Sequence, residues 1–197
     1  MSRIRDYMRI QDTLYYAPDI TITSLLVYRP NEIIDAFESR ITNYYLKPAD
    51  ILNRNRMAFG AGDLIFDAID AIARYELDNS MVGERFKKWI SRLPDFKELV
   101  LEELERVYDE FRNGVTHEAR IKNGGQFTYD INKAVEIKKG IVLVNPKVLL
   151  DQVSDEFKRS ISFIKDNEKE QTRISKQIKG DLRKDLERVE IDLTNDM

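Results

Sequence analysis

Apolar residues recur at helical spacing through most of the chain, and the clearest change of period falls in one short region. After Pro30-Asn31, a helix start, Ile33, Ile34, Phe37, Ile41 and Tyr44 fall three to four positions apart until Lys47-Pro48 ends the pattern. A second helix is predicted from Met57 to Leu77, with Phe59, Leu64, Ile65, Ala68, Ile69 and Ile72 on a broad apolar face. Gly60 and Gly62 near its start each cost roughly 1 kcal/mol relative to alanine, or else permit close packing. Met81 to Leu93, with Phe86, Trp89 and Ile90, reads as a shorter helix ending before Pro94. From Asp95 to Asn113 a stripe of Val100, Leu104, Val107, Tyr108 and Phe111 predicts another helix, stopped by Asn113-Gly114, because glycine readily takes a left-handed closing conformation. A last core helix starts at Asn145-Pro146 and repeats Leu149, Val153, Phe157, Ile161 and Ile164.

Between the last two helices the period falls to about two. Gln126 to Ile131 and Val135 to Lys138 face Ile141 to Val144 across Lys139-Gly140, which predicts a small β-hairpin or meander near 126–144. The chain therefore divides into an N-terminal arm or edge segment over 1–29, a helical bundle with this hairpin over 30–165, and a charged amphipathic helix over 166–197. In the arm, the apolar stretch Ile20 to Val27 alternates at its start and reads as an edge strand or extended segment. In the tail, Ile174, Ile178, Leu182, Leu186, Val189 and Leu193 keep a narrow stripe among charges. Two readings fit that stripe: a helix lying on its own domain, or an arm on a second subunit. On the second reading, removal of the residues after Lys165 weakens dimerisation and leaves the bundle folded.

Composition narrows the function. Thirty-two basic against thirty-five acidic side chains give a net charge of -3, so any contact with nucleic acid must come from a local patch. The absence of cysteine excludes disulfides, thiolate zinc sites and thiol nucleophiles. No apolar run approaches the roughly 18 residues that a membrane span needs, and the first residues lack the apolar core of a signal peptide. A cytoplasmic protein without membrane partners is expected. The chain has one histidine, His117, which limits the proton transfers a single subunit can perform near neutral pH.

Common catalytic signatures are absent. There is no phosphate-cradling glycine loop with Lys-Ser/Thr, and Phe59-Gly-Ala-Gly-Asp63 lacks the rest of a dinucleotide fingerprint. Glu102-Glu103 and Asp109-Glu110 read as a solvated helix face, and no metal or other cofactor is expected. The exception is Arg112-Asn-Gly-Val-Thr-His117, whose arginine and histidine flank the predicted helix break. A guanidinium binds a phosphoryl group through paired donors, and an imidazole moves a proton near pH 7. The plain alternative is an arginine in a surface ion pair and a histidine at a helix terminus.

The string Phe111-Arg-Asn-Gly-Val-Thr-His-Glu118, at the end of an amphipathic helix in a mainly helical chain, resembles the Arg-x(4–6)-His motif of the HEPN superfamily. The helices from Pro30 to Lys165, including Ile65 to Ala73, are similar to that superfamily's four- or five-helix bundle. The resemblance implies a metal-independent endoribonuclease working as a homodimer, with Arg112 holding the scissile phosphate, His117 assisting proton transfer and Asn113 positioning one of them or the RNA. It also implies 2′,3′-cyclic phosphate and 5′-hydroxyl products, a role in prokaryotic defence or toxin-like RNA cleavage, and a regulatory or antitoxin partner. Ala119 stands where superfamily toxins silenced by nucleotidylation carry a tyrosine, so an antitoxin of that type is not expected. The hairpin is an insertion on a plain bundle.

Arg120 and Lys122 are the candidate RNA-binding residues, with Lys133, Lys138, Lys139 and Lys147 as a further basic rim. Hairpin lysines serve equally well to blunt an exposed strand edge. Phe127 and Tyr129 are candidates for stacking bases. The competing reading of the whole chain is a non-catalytic module of the same fold that binds a partner protein or nucleotide, in which Arg112 would be held in an internal ion pair.

Overall fold

The computed structural model describes residues 9–10, 13–77 and 81–188, and it is mainly helical with a small β-hairpin. Two compact units emerge, one from residues 1–44 with 160–197 and one from residues 45–159.

In the first unit, β1 (Arg9–Ile10), β2 (Thr13–Ala17) and β3 (Ile20–Thr21) form a small antiparallel sheet in that order. The expected extended stretch over Ile20 to Val27 is corrected here: strand ends at Thr21, and Ile22–Val27 is a helix, α1. Thr21 makes the switch, because its Oγ1 accepts from the Ser24 amide at 3.1 Å and caps the helix. Next, α2 (Pro30–Ile41) buries Ile33, Ile34, Phe37 and Ile41 completely. The final helix, α9 (Glu168–Arg188), buries Ile174, Ile178, Leu182 and Leu186 within the same unit and contacts α2 and α1. Lys165 bridges Asp35 at 2.8 Å and Glu38 at 2.7 Å, while Lys179 donates to the Tyr28 carbonyl at 2.8 Å. Through Leu186, the tail's stripe is thus covered by its own chain; Val189 and Leu193 lie outside the described residues.

Lys47-Pro48 does not stop the helix. A π-helical segment, Thr42–Leu46, leads without a break into α3 (Lys47–Arg54), and Pro48, which has no N–H to donate, follows directly on that irregular turn. The turn comes instead at Asn55-Arg56, with Arg56 at φ 56°. In the second unit α4 (Ala58–Glu76) is the central helix, flanked by α5 (Val82–Ile90). A helix starting at Asp95 is also corrected. Asp95 Oδ2 accepts from the Ala134 amide at 2.7 Å and from Gln152 Nε2 at 2.6 Å, and α6 begins only at Leu101, where Glu103 accepts from the Val100 amide at 3.0 Å.

The hairpin forms as expected, between β5 (Val135–Lys138) and β6 (Ile141–Val144), with Lys139 and Gly140 both left-handed at φ 51° and 77°. Only Gln126–Phe127 of the upstream stretch is strand; as β4 it pairs parallel with β6, giving the order β4-β6-β5. Asn145 then ends the sheet and caps α8 (Pro146–Lys165), accepting from the amides of Lys147 and Val148 at 3.0 and 3.3 Å.

Candidate functional site

The helix that carries the motif is not broken at Asn113-Gly114. After α6 (Leu101–Val107) a π-helical segment spans Tyr108–Asn113, Gly114 keeps φ at -61°, and α7 (Gly114–Glu118) continues to Ala119, the left-handed closing residue at φ 52°. The Gly114 amide donates back to Asp109, five residues earlier, so one extra residue is accommodated in the turn that presents Arg112. Gly114 is required for a different reason than a helix stop. A Cβ there would stand 2.6 Å from the Arg120 carbonyl oxygen, and the Arg120 amide donates to the Gly114 carbonyl at 3.2 Å.

Arg112, Asn113 and His117 do meet. Arg112 Nη1 donates to Asn113 Oδ1 at 3.1 Å and lies 3.2 Å from His117 Nε2. A guanidinium only donates, so in a hydrogen bond between the two Nε2 is the acceptor. The other fork of Arg112, Nη2, donates to Asp70 Oδ2 of α4 at 2.6 Å, and Arg85 of α5 stands 3.7 Å from the second oxygen. Arg112, Asp70 and Arg85 keep only 15%, 16% and 19% of their side-chain surface exposed, whereas His117 is exposed. The guanidinium carbon also lies 5.9 Å from the Tyr108 ring centre. Beneath the motif, Phe111 packs at 5.8 Å from Phe66 and 5.1 Å from Phe127, and Phe66 at 5.9 Å from Phe86, so the site rests on a tightly filled aromatic layer.

Three aspartates of α4 were not singled out by motif reasoning: Asp63, Asp67 and Asp70. Their signal in the sequence is a set of carboxylates spaced four and three apart inside a long, otherwise apolar helix. Burial pushes the Asp63 carboxyl up. Asp67 is pushed up to about 6 by burial, then by the charge on Asp63, against a smaller opposing pull from Arg112 and with Asp70 adding to the rise.

Arg120, Lys122 and Lys138 of the expected basic set are compensated. Arg120 pairs with Glu118 at 2.6 Å, and Lys122 with Asp109 at 3.1 Å and Glu118 at 3.0 Å. The Lys122 hydrogen bond, more than the Arg120 charge, holds the Glu118 carboxyl below its ordinary value. Lys138 pairs with Glu136 at 2.9 Å. Glu110, assigned above to a solvated face, is almost fully buried and accepts from Arg106 Nε at 2.8 Å. Phe127 is half-buried, its ring filling the space over Gly62, where a Cβ would collide with it. Gly62 is therefore the close-packing glycine. Tyr129 donates to Asn53 Oδ1 at 3.0 Å beneath the Arg56 guanidinium, 5.1 Å from its ring centre. Among the described residues no group of three or more metal-ligating side chains is gathered. No helix is long and apolar enough to cross a membrane among those residues.

No family model, curated protein or solved structure matches this chain.

Proposed function

We propose that the chain is a metal-independent endoribonuclease of the HEPN type, acting as a homodimer through Arg112, Asn113 and His117. The observation that carries this reading is the contact between Arg112 and an exposed His117 across 3.2 Å, with the guanidinium fixed from behind by Asp70. An arginine held on one fork by a carboxylate, with only the uncharged Asn113 and His117 contacts to displace from the other, is oriented for a phosphoryl group, and the held fork lowers the entropy lost when substrate binds.

The chemistry is internal transesterification. A base takes the 2′-hydroxyl proton, O2′ bonds to phosphorus, the P–O5′ bond breaks, and an acid supplies a proton to O5′. A substrate phosphate takes over Arg112 Nη1, which releases the Nε2 lone pair of His117 for the base role. One histidine cannot stand on both sides of phosphorus, so the acid is the same residue of a second copy; two-fold symmetry supplies it. The test is specific activity against subunit concentration in EDTA, alongside sedimentation. Activity should fall as the dimer dissociates; undiminished activity in a sedimenting monomer would contradict the composite site.

A second reading is favoured by one observation. Arg112 sits in an internal ion pair with Asp70, and Arg120 and Lys122 are matched by Glu118 and Asp109, as a non-catalytic binding module would have them. On that reading a folded dimer binds a partner or nucleotide and leaves every RNA intact.

A further inference from the structure

The carboxylates on α4 are unequally provided for. Asp63, Asp67 and Asp70 lie on one side of the helix, all three half-buried. Asp70 Oδ2 has Arg112, while its Oδ1, 3.7 Å from Arg85, is buried without a hydrogen-bond partner; Asp63 and Asp67 have no hydrogen-bonding partner at all among the described residues. The guanidiniums carry the opposite deficit: the Nε–H groups of Arg112 and of Arg85 are buried without an acceptor. A carboxylate lacking a donor thus stands one helical turn from the carboxylate that grips a guanidinium lacking an acceptor.

The charges acting on Asp67 come from a small set. Its own helix contributes Asp63 and Asp70, the π-helical segment contributes Arg112, and α5 brings Arg85 onto Asp70. In α3, Asp50 and Arg54 pair with each other, and β4 contains no charged residue. With all three aspartates ionised the cluster sets three negative charges against the two of Arg85 and Arg112; with Asp67 neutral the two signs balance.

We propose that Asp67 is a positioning residue that sets the affinity of the Arg112–His117 centre for RNA phosphate. Ionised, it competes with the phosphate for Arg112; protonated, it leaves the guanidinium to the substrate. This rests on the reading that the centre binds an RNA phosphate, and it adds that the centre is proton-gated by a residue outside the Arg-x(4)-His motif. The carboxyl titrates at about 6, so the change falls between weakly acidic and neutral conditions.

The experiment is binding of an uncleavable 2′-O-methyl oligoribonucleotide between pH 5 and 8, at fixed ionic strength in EDTA. It uses His117→Ala as the common background, so that the imidazole contributes no pH dependence. Affinity should fall about tenfold from pH 5.5 to 7.5 with Asp67 present, equivalent to ~1.4 kcal/mol. Asp67→Asn should bind at pH 7.5 as tightly as its parent does at pH 5.5, with a flat profile, and Asp67→Glu should restore the slope. An Asp67→Asn profile that superimposes on the parent's would overturn the proposal and leave the ribonuclease reading intact. Absence of binding by every variant at every pH would overturn both.

Discussion

Arg112 reaches back 42 residues to grip Asp70 at 2.6 Å while turning its other fork toward His117. Asp70 is therefore the anchor of the site, and Asp70→Asn should lower RNA cleavage while costing roughly 1–3 kcal/mol of stability, because Arg112 loses its charged acceptor and Arg85 its ion-pair partner. A double-mutant cycle with Arg112→Gln in urea denaturation should return a coupling of about 1–3 kcal/mol. Additive effects of the two substitutions would show that the ion pair contributes nothing.

Asp67 makes stability depend on pH with an unusual sign. Its ordinary value is 3.8 and its value in the fold about 6, so the native state holds the proton more tightly than the unfolded chain. The associated stability is complete below 3.8 and is lost as pH rises through 6. Asp67→Asn should accordingly stabilise the protein at pH 7.5 by roughly 1–2 kcal/mol, after allowance for solvent screening, and make no difference at pH 3.5. Thermal melts at the two pH values would check it, and a destabilised variant at pH 7.5 would count against it.

Two glycines in helices should respond in opposite ways to the same substitution. Gly62→Ala drives a methyl into the Phe127 ring and should cost roughly 1–3 kcal/mol, since overpacking displaces an aromatic already fixed by Phe59, Phe66 and Phe111. Gly180→Ala in α9 meets nothing within 4 Å and should gain up to about 1 kcal/mol from helix propensity. Denaturant midpoints of the two variants on opposite sides of the parent's are expected.

Because α9 buries its stripe within its own unit, shortening the chain after Lys165 should do more than loosen a dimer. It uncovers α2, and the unit of residues 1–44 and 160–197 should lose its cooperative transition. The milder Ile178→Ala should cost about 2–4 kcal/mol at a fully buried position. Sedimentation together with far-ultraviolet circular dichroism separates the outcomes: a folded but monomeric truncation would support the arm on a second subunit instead.

The helices and the hairpin were legible because their apolar periods and the Lys139-Gly140 turn agree with one another. Boundaries failed where polar side chains chose a tertiary partner. Asp95 reads as a helix start and serves the Ala134 amide and Gln152; Thr21, unremarkable in the sequence, caps α1. The two π-helical segments leave no periodic trace, which is why Lys47-Pro48 and Asn113-Gly114 looked like stops. At the site, Arg112, Asn113 and His117 were readable from spacing within one segment. Asp70, Asp67 and Arg85 were not, because their proximity depends on how α4 and α5 fold against that segment. The fate of Arg120 and Lys122 was likewise hidden, since their acidic partners Glu118 and Asp109 differ in sequence from solvated charges in no visible way.

The ribonuclease reading is tested most directly by incubating wild-type protein and His117→Ala with a mixed RNA panel in EDTA and determining the product ends. Products ending in 2′,3′-cyclic phosphate and 5′-hydroxyl groups, formed by the wild type and lost in the variant, are expected. Intact RNA with a well-folded wild-type dimer, or the same products from His117→Ala, would contradict it.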